Sequence, residues 1–415
     1  MTRSGMLARF AVTIATATAL IVVFARAQQE AFTGQWLIDH GTADSVQLTI
    51  RYSNDSIGRT WHSSWSTDVA LASLQGLNSA DLNSSGKNVH FTIVRDPGSF
   101  DCTGWANGGN ASGHWNFVPN ADFSAELKKR GIAAPSPTEQ FQMAMSDITL
   151  ALVDELKSQG YRLDLAELIR AGHHGVSLEY VRGMKAAGYK FDDLETLIRM
   201  RDHGVTPRYI QDLASFGYKN LAADDLRRMR DHGVTGEYLH GMQQAGYKDF
   251  TAEEVVRLRD HGVTPEFITG MAEAGYKAIP ALELSRMRDH GVSPEFVRGM
   301  MEAGYKDLTP GELSRLSDHG VRPAYIAELK QLGLLNLGTS ELVRMRDHGV
   351  DAFFIRDLRE AGVATSDTSL LIRLRDHGVT GAFARQAKDK GFPTTDPEEL
   401  IRLRTHGFEA RERSF

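Results

Sequence analysis

The chain has 415 residues, of which 41% are hydrophobic and 24% charged, the composition of ordinary folded protein. Its formal net charge of −6 lacks the basic footprint of a nucleic-acid binder. The single cysteine, Cys102, excludes an internal disulfide and reads as a small apolar residue on a strand.

Residues 1–27 read as a signal peptide. Arg3 and Arg9 give a basic start, residues 10–24 form an apolar run, and Ala25-Arg26-Ala27 fits the small-x-small rule, with cleavage expected after Ala27. A membrane span needs about 20 apolar residues, so this run is short for one. An uncleaved anchor is the alternative. No second span follows, and the mature chain is expected to be periplasmic or secreted with no membrane span.

Residues 31–123 read as a β-rich domain. Val46, Leu48, Ile50 and Tyr52 alternate along one strand, as do Trp61, Ser63 and Trp65. Phe91 with Ile93, Phe100 with Cys102, and Trp115 with Phe117 continue the pattern. Asn107-Gly108-Gly109-Asn110 is a hairpin signal. Counting the strand opened by Gly34-Gln35-Trp36, about six strands are expected, in a small antiparallel sandwich or open barrel. The Gly-x-Trp start resembles the first strand of lipocalin- and avidin-type barrels. His62, His90 and His114 fall on separate strands without carboxylates at ligand spacing, so they read as solvent-facing residues rather than a metal site. Residues 124–146 read as a helical linker.

From residue 147 to 407 the chain repeats. Histidine recurs every 29 residues at His174, His203, His232, His261, His290, His319, His348, His377 and His406. Around His261, Thr251 caps a helix with an apolar stripe at Val255 and Leu258, and Gly262 stops it. Thr264-Pro265-Glu266 starts a second helix that buries Phe267, Ile268 and Met271 and ends at Gly275. Helices this short cannot bury enough surface alone, so neighbours must stack. The expected fold is therefore α+β and multidomain: the β domain followed by an α-solenoid of about nine two-helix repeats, with residues 408–415 as a tail. Charge over residues 147–407 is nearly balanced, 35 Lys+Arg against 40 Asp+Glu. Neither nucleic acid nor an anionic membrane is expected as a partner.

Several rows recur within the repeat. The aromatic six residues after the histidine (Tyr180, Tyr209, Tyr238, Phe267, Phe296, Tyr325, Phe354, Phe383) and the aliphatic six before it read as core. Arginine stands four before every histidine, and seven of the nine copies have Asp immediately before it. Arg and Asp three apart share a helix face, so Arg199, Asp202, Arg228, Asp231, Arg257, Asp260, Arg286 and Asp289 are expected to form a structural ladder of Arg–Asp contacts within or between repeats. His203, His232, His261 and His290 are expected to close their helices on backbone carbonyls. Metal bridging between copies is not expected, because stacked helices stand about 8–10 Å apart, too far for a single ion. Leu332-Gly333-Leu334-Leu335 replaces the usual Ala-Gly-Tyr-Lys and predicts a bend or exposed apolar surface.

Residues eight after the histidine (Arg182, Gln211, His240, Thr269, Arg298, Arg356, Arg385) and twelve after it (Gln244, Glu273, Glu302, Gln331, Glu360) vary between copies. They share the outer face of the second helices and form the candidate interaction face.

The phrases Thr-Pro-Glu-aromatic-aliphatic, Ala-Gly-Tyr-Lys and Arg-Asp-His-Gly-Val resemble repeats in poorly characterised exported bacterial proteins. Similar repeats trail membrane-bound zinc-peptidase sensors of the beta-lactam-antirepressor kind. The resemblance implies a bacterial, extracytoplasmic protein. It does not carry the peptidase, because no His-Glu-x-x-His occurs in this chain. The expected function is a non-enzymatic scaffold for protein–protein interaction in the cell envelope, with an unknown protein partner, no cofactor and no catalytic residues. A ligand-binding or sensory module using the β domain is the alternative, and a hydrolase comes third.

Overall fold

A computed structural model describes residues 32–39, 44–56 and 59–408. Residues 1–31, which include the stretch read from sequence as a signal peptide, and residues 409–415 lie outside them, as do the side chains of residues 53–63, among them Trp61, His62 and Ser63. The chain divides into two compact units, residues 1–210 and 211–415.

Unit 1 opens with seven antiparallel strands: β1 (Thr33–Asp39), β2 (Ser45–Ser56), β3 (Arg59–Ala70), β4 (Leu74–Gln75), β5 (Ser85–Arg95), β6 (Gly98–Asn107) and β7 (Asn110–Pro119). They form one sheet in the order β3-β2-β1-β7-β6-β5-β4, which curls into a half-barrel. This is the open-barrel form of the expected domain, with the two-residue β4 as an additional strand. Period-two alternation puts Val46, Leu48 and Ile50 of β2, Phe91 and Ile93 of β5, and Phe100 and Cys102 of β6 into one core. Trp36 and Trp115 are fully buried, and their indole N–H groups are satisfied by carbonyls of neighbouring strands: Trp36 Nε1 donates to His114 O (3.1 Å) and Trp115 Nε1 to Gln35 O (3.1 Å). Asn107 pairs with Asn110, and Gly108 and Gly109 take φ of +58° and +89°, as a tight primed turn requires.

Three helices complete this region: α1 (Ser79–Leu82), α2 (Ala121–Lys129) and α3 (Pro137–Met145). The α3 helix falls within the stretch read from sequence as a linker. Ser136 caps it in a reciprocal capping box with Glu139. Its Phe141 stacks on Trp115 (5.6 Å) and Phe32 (5.1 Å) and meets Tyr52, Phe100 and Phe117 edge-on. Thus α3 fills the concave side of the half-barrel. It also packs against Leu165–His173, while α2 packs against Leu150–Ser158, so the helical stacking of unit 1 begins before residue 147.

Two-helix copies follow in both units. In unit 2 the first helices, such as Ala252–Asp260 and Ala281–Asp289, pack on each other as one layer. The second helices, such as Pro265–Glu273 and Pro294–Glu302, form the other. Each of these four helices has nine residues; Thr251, Thr264 and Ser293 cap three of them at the N-terminus, while Ala281–Asp289 follows Pro280 without a side-chain cap. After Asp260 the amides of Gly262 and Val263 bond the carbonyls of Arg259 (3.1 Å) and Leu258 (2.9 Å), with Gly262 at φ +67°. This is a Schellman closure, and Val263 is fully buried behind it. All eight aromatics of the core row are buried, as are the aliphatics six before each histidine, from Leu168 to Leu400. Of the Leu-rich turn, Leu334 is buried and Leu335 is 59% exposed.

Candidate interaction face

The constant rows are engaged in stacking, though not with the partners expected from sequence. His261 Nδ1 lies 2.7 Å from Asp289 Oδ1 of the following copy. The same bond joins His174 to Asp202 (2.8 Å), His232 to Asp260 (2.6 Å), His290 to Asp318 (2.8 Å), His319 to Asp347 (2.6 Å) and His348 to Asp376 (2.8 Å). This corrects the Arg–Asp ladder and the closure of helix ends by histidine. Backbone amides already cap the final carbonyls, which leaves the imidazole free to reach the next copy. The arginines four before the histidine turn to acids elsewhere. Arg257 pairs with Glu253 (3.1 Å), Arg286 with Glu283 (2.8 Å) and Arg228 with Asp225 (2.7 Å), all within the first turns of their own helices.

A second arginine row, two residues before the histidine, was not singled out in the sequence. Arg288 Nε donates to Gly262 O of the preceding copy (3.0 Å), and its guanidinium lies 5.4 Å from the centre of the Phe267 ring. Arg259 does the same to Gly233 O (3.2 Å) and the Tyr238 ring (4.9 Å). The Tyr238 hydroxyl in turn donates to Val263 O (2.8 Å), and burial pushes this phenol up to about 12. Tyrosines of the Ala-Gly-Tyr turns also reach forward: Tyr276 donates to Leu308 O (2.6 Å) and Tyr305 to Leu337 O (2.7 Å).

The second helices approach each other through glycine–proline contacts. A Cβ built on Gly270 would stand 2.7 Å from Pro294 Cγ, and Gly241 has the same relation to Pro265 (2.5 Å). These contacts floor a polar groove of about 920 Å³ in unit 2. The variable rows line it: His240, Gln244, Thr269, Glu273 and Arg298 are all exposed, with His240 Nε2 3.0 Å from Gln244 Nε2. Gln211, Glu302, Gln331, Arg356, Glu360 and Arg385 are exposed on the same helix face without lining this groove, and Arg385 pairs with Asp357 (2.9 Å). Arg182 is exposed in unit 1, where it pairs with Glu155 (3.2 Å).

One further row belongs to this face; its member Glu266 was read in the sequence only as part of a helix start. Glu237, Glu266 and Glu295 occupy the second position of successive second helices and border the groove. Helix amides and the capping Thr264 and Ser293 hold Glu266 and Glu295 below the usual carboxylate range, and Arg298 adds to this at Glu295. At the same position two copies later stands Phe353, 76% exposed. In unit 1, His90 pairs diagonally across strands with Asp101 (2.5 Å), and His114 is exposed. Among the described residues, no group of three His, Cys, Asp or Glu side chains is placed to hold a metal ion. No helix among them is long and apolar enough to cross a membrane. The fold class is that of a β half-barrel followed by stacked helical repeats. Comparison of the chain with protein-family models and with curated proteins found no match.

Proposed function

We propose that the protein is a non-enzymatic exported scaffold that binds a protein partner on the second-helix face of unit 2. One observation carries this reading. Of the side chains constant between copies, the His–Asp pairs, the arginines two before the histidine and the glycine–proline contacts join copy to copy, while those that vary stand exposed on the outer face, five of them along the groove. Conserving the joint while varying the outer face is how a stacked repeat acquires a specific surface. The face is mixed in charge and has an apolar element at Phe353, which suits a protein surface better than a polyanion.

The test is site-specific photo-crosslinking in cells, with the crosslinker placed at Thr269, Arg298 or Phe353 and, as controls, at Glu253 or Leu282 of the first helices. Adducts with one protein from the second-helix positions are expected. Adducts confined to the first-helix positions, or none with protein, refute the reading. Export is part of the proposal and rests on Arg3, Arg9, the apolar run and Ala25-Arg26-Ala27. N-terminal sequencing of the extracytoplasmic protein should begin at Gln28. Retention of the intact chain in the cytoplasm would remove that part.

A further inference from the structure

The curl of the sheet leaves a small cavity between its two edges. Trp65 of the edge strand β3 and Leu74 of the opposite edge β4 both line it, together with Leu48, Ile50, Ile93 and Phe100. Ala144 and Met145, at the end of α3, close it from above. Its volume is about 150 Å³. Ser73 also lines it, but its hydroxyl is already bound to Ala70 O (2.6 Å), so this polar group makes no demand for water. The lining is apolar on the sheet side and polar at Ser73 and Arg95, and roughly 150 Å³ is large enough for a benzene-sized molecule.

The mouth of this cavity is charged. Arg95 lines it and pairs through Nη1 with Asp147 (2.5 Å). Asp147 belongs to a larger adjoining cleft of about 530 Å³, which shares Trp65 and Met145 with the cavity. The ion pair therefore has one member lining the cavity and the other lining the cleft. A guanidinium has five N–H donors, and only Nη1 is bonded in this pair. The Arg95 side chain is 26% exposed and that of Asp147 61%, so a ligand carboxylate reaching Arg95 shares the guanidinium with Asp147 or displaces it toward solvent.

We propose that unit 1 binds a small amphiphilic monocarboxylate, with a tail of about six carbons in the cavity and the carboxylate on Arg95. Apolar walls select the tail by size, and the guanidinium selects a planar anion that it can engage through two parallel hydrogen bonds. This site is separate from the helical face and stands or falls independently of the scaffold reading.

The experiment is calorimetric titration of the full chain with hexanoate, hexan-1-ol and acetate. Saturable binding of hexanoate is expected, with much weaker binding of hexan-1-ol and none of acetate. Arg95→Gln should weaken hexanoate about tenfold or more and leave hexan-1-ol unchanged. Ala144→Leu, which fills the cavity, should abolish both, with circular dichroism reporting that the fold is retained. Should that variant not fold, intermolecular nuclear Overhauser effects from the hexanoate methyl to Ile93 and Leu74 of the unsubstituted protein place the tail directly. Absence of saturable binding, binding indifferent to Arg95→Gln, or Overhauser contacts to other residues would overturn the proposal.

Discussion

Replacing Gly270 with alanine should destabilise unit 2, although alanine is the better helix former. The added Cβ would meet Pro294 at 2.7 Å from Cγ and 2.9 Å from Cβ. Carbon pairs are comfortable at about 3.5–4.0 Å, so the two second helices must separate or the ring must shift. Overpacking of this kind costs about 1–3 kcal/mol, and the helix-propensity gain returns up to about 1 kcal/mol. A net loss of about 1–2 kcal/mol is expected. Pro294→Gly alone should also cost about 1 kcal/mol, because the unfolded chain gains freedom. In the double variant the new methyl fills the space left by the ring, giving a favourable coupling of about 1 kcal/mol or more. The chain already contains the inverse arrangement: Asp357 faces Gly381, whose amide donates to Asp357 Oδ2 (2.8 Å), and Asp212 faces Gly236. Urea denaturation of the four proteins, with hydrogen exchange across residues 265–302, measures the cycle. Additivity within about 0.5 kcal/mol, or a neutral Gly270→Ala, would refute the steric argument.

Other substitutions separate the contributions to the joint. Asp289→Asn should cost less than about 1 kcal/mol, since the His261–Asp289 pair is substantially exposed, whereas Arg288→Ala should cost about 1–2 kcal/mol through loss of both the Gly262 carbonyl bond and the Phe267 contact. Chemical denaturation checks the order, and equal losses would contradict it. Phe141→Ala should cost about 3–5 kcal/mol and release α3 from the sheet, seen as loss of near-ultraviolet dichroism from the buried Trp115. Alkali should weaken the fold. Burial pushes Cys102, Tyr218 and Tyr238 each up to about 12, against about 8.5 for a free thiol and 10 for a free phenol. The unfolded chain loses these protons first, so their stabilisation is complete below about pH 8.5 and is lost as pH rises toward 12. Tyr238→Phe should flatten the decline in denaturation midpoint above pH 10, and an unchanged slope would count against this origin.

The architecture was legible because helix ends are local. Caps, terminating glycines and the buried stripe are all set within a few residues, so the 29-residue period reveals them copy by copy. The partners of Asp and His were not legible in the same way. Three-residue spacing makes Arg257 and Asp260 look like a pair, yet Asp260 bonds His232, 28 residues earlier. A trace of this existed in the sequence. The first copy has His173 where later ones have Asp, and 29 residues before His174 stands Met145 rather than histidine. An Asp that pairs backwards has no partner there. At the other end Thr405 replaces Asp and still approaches His377 (3.5 Å).

The role of α3 was hidden for a different reason. Nothing in residues 137–145 carries the repeat phrases, and Phe141 matters only through strands that the fold brings around it. The cavity has the same origin, since Trp65, Leu74 and Ile93 meet only after the sheet curls. Substitutions that compensate one another give the strongest check on which rows are joints. Ser317 stands where neighbouring copies have the stacking arginine, and Arg322 takes over, lying 5.5 Å from the Phe296 ring and donating to Ser317 Oγ (3.2 Å). Gly270 with Pro294 and Asp357 with Gly381 are a second such exchange. Rows whose departures are compensated by a neighbouring residue, in the same copy or the next, hold the stack together. The row containing Thr269, Arg298 and Arg356 changes residue type from copy to copy while staying exposed, and although Arg182 and Arg385 of this row pair with acids of the preceding copy, it is the surface on which we propose that a partner is selected.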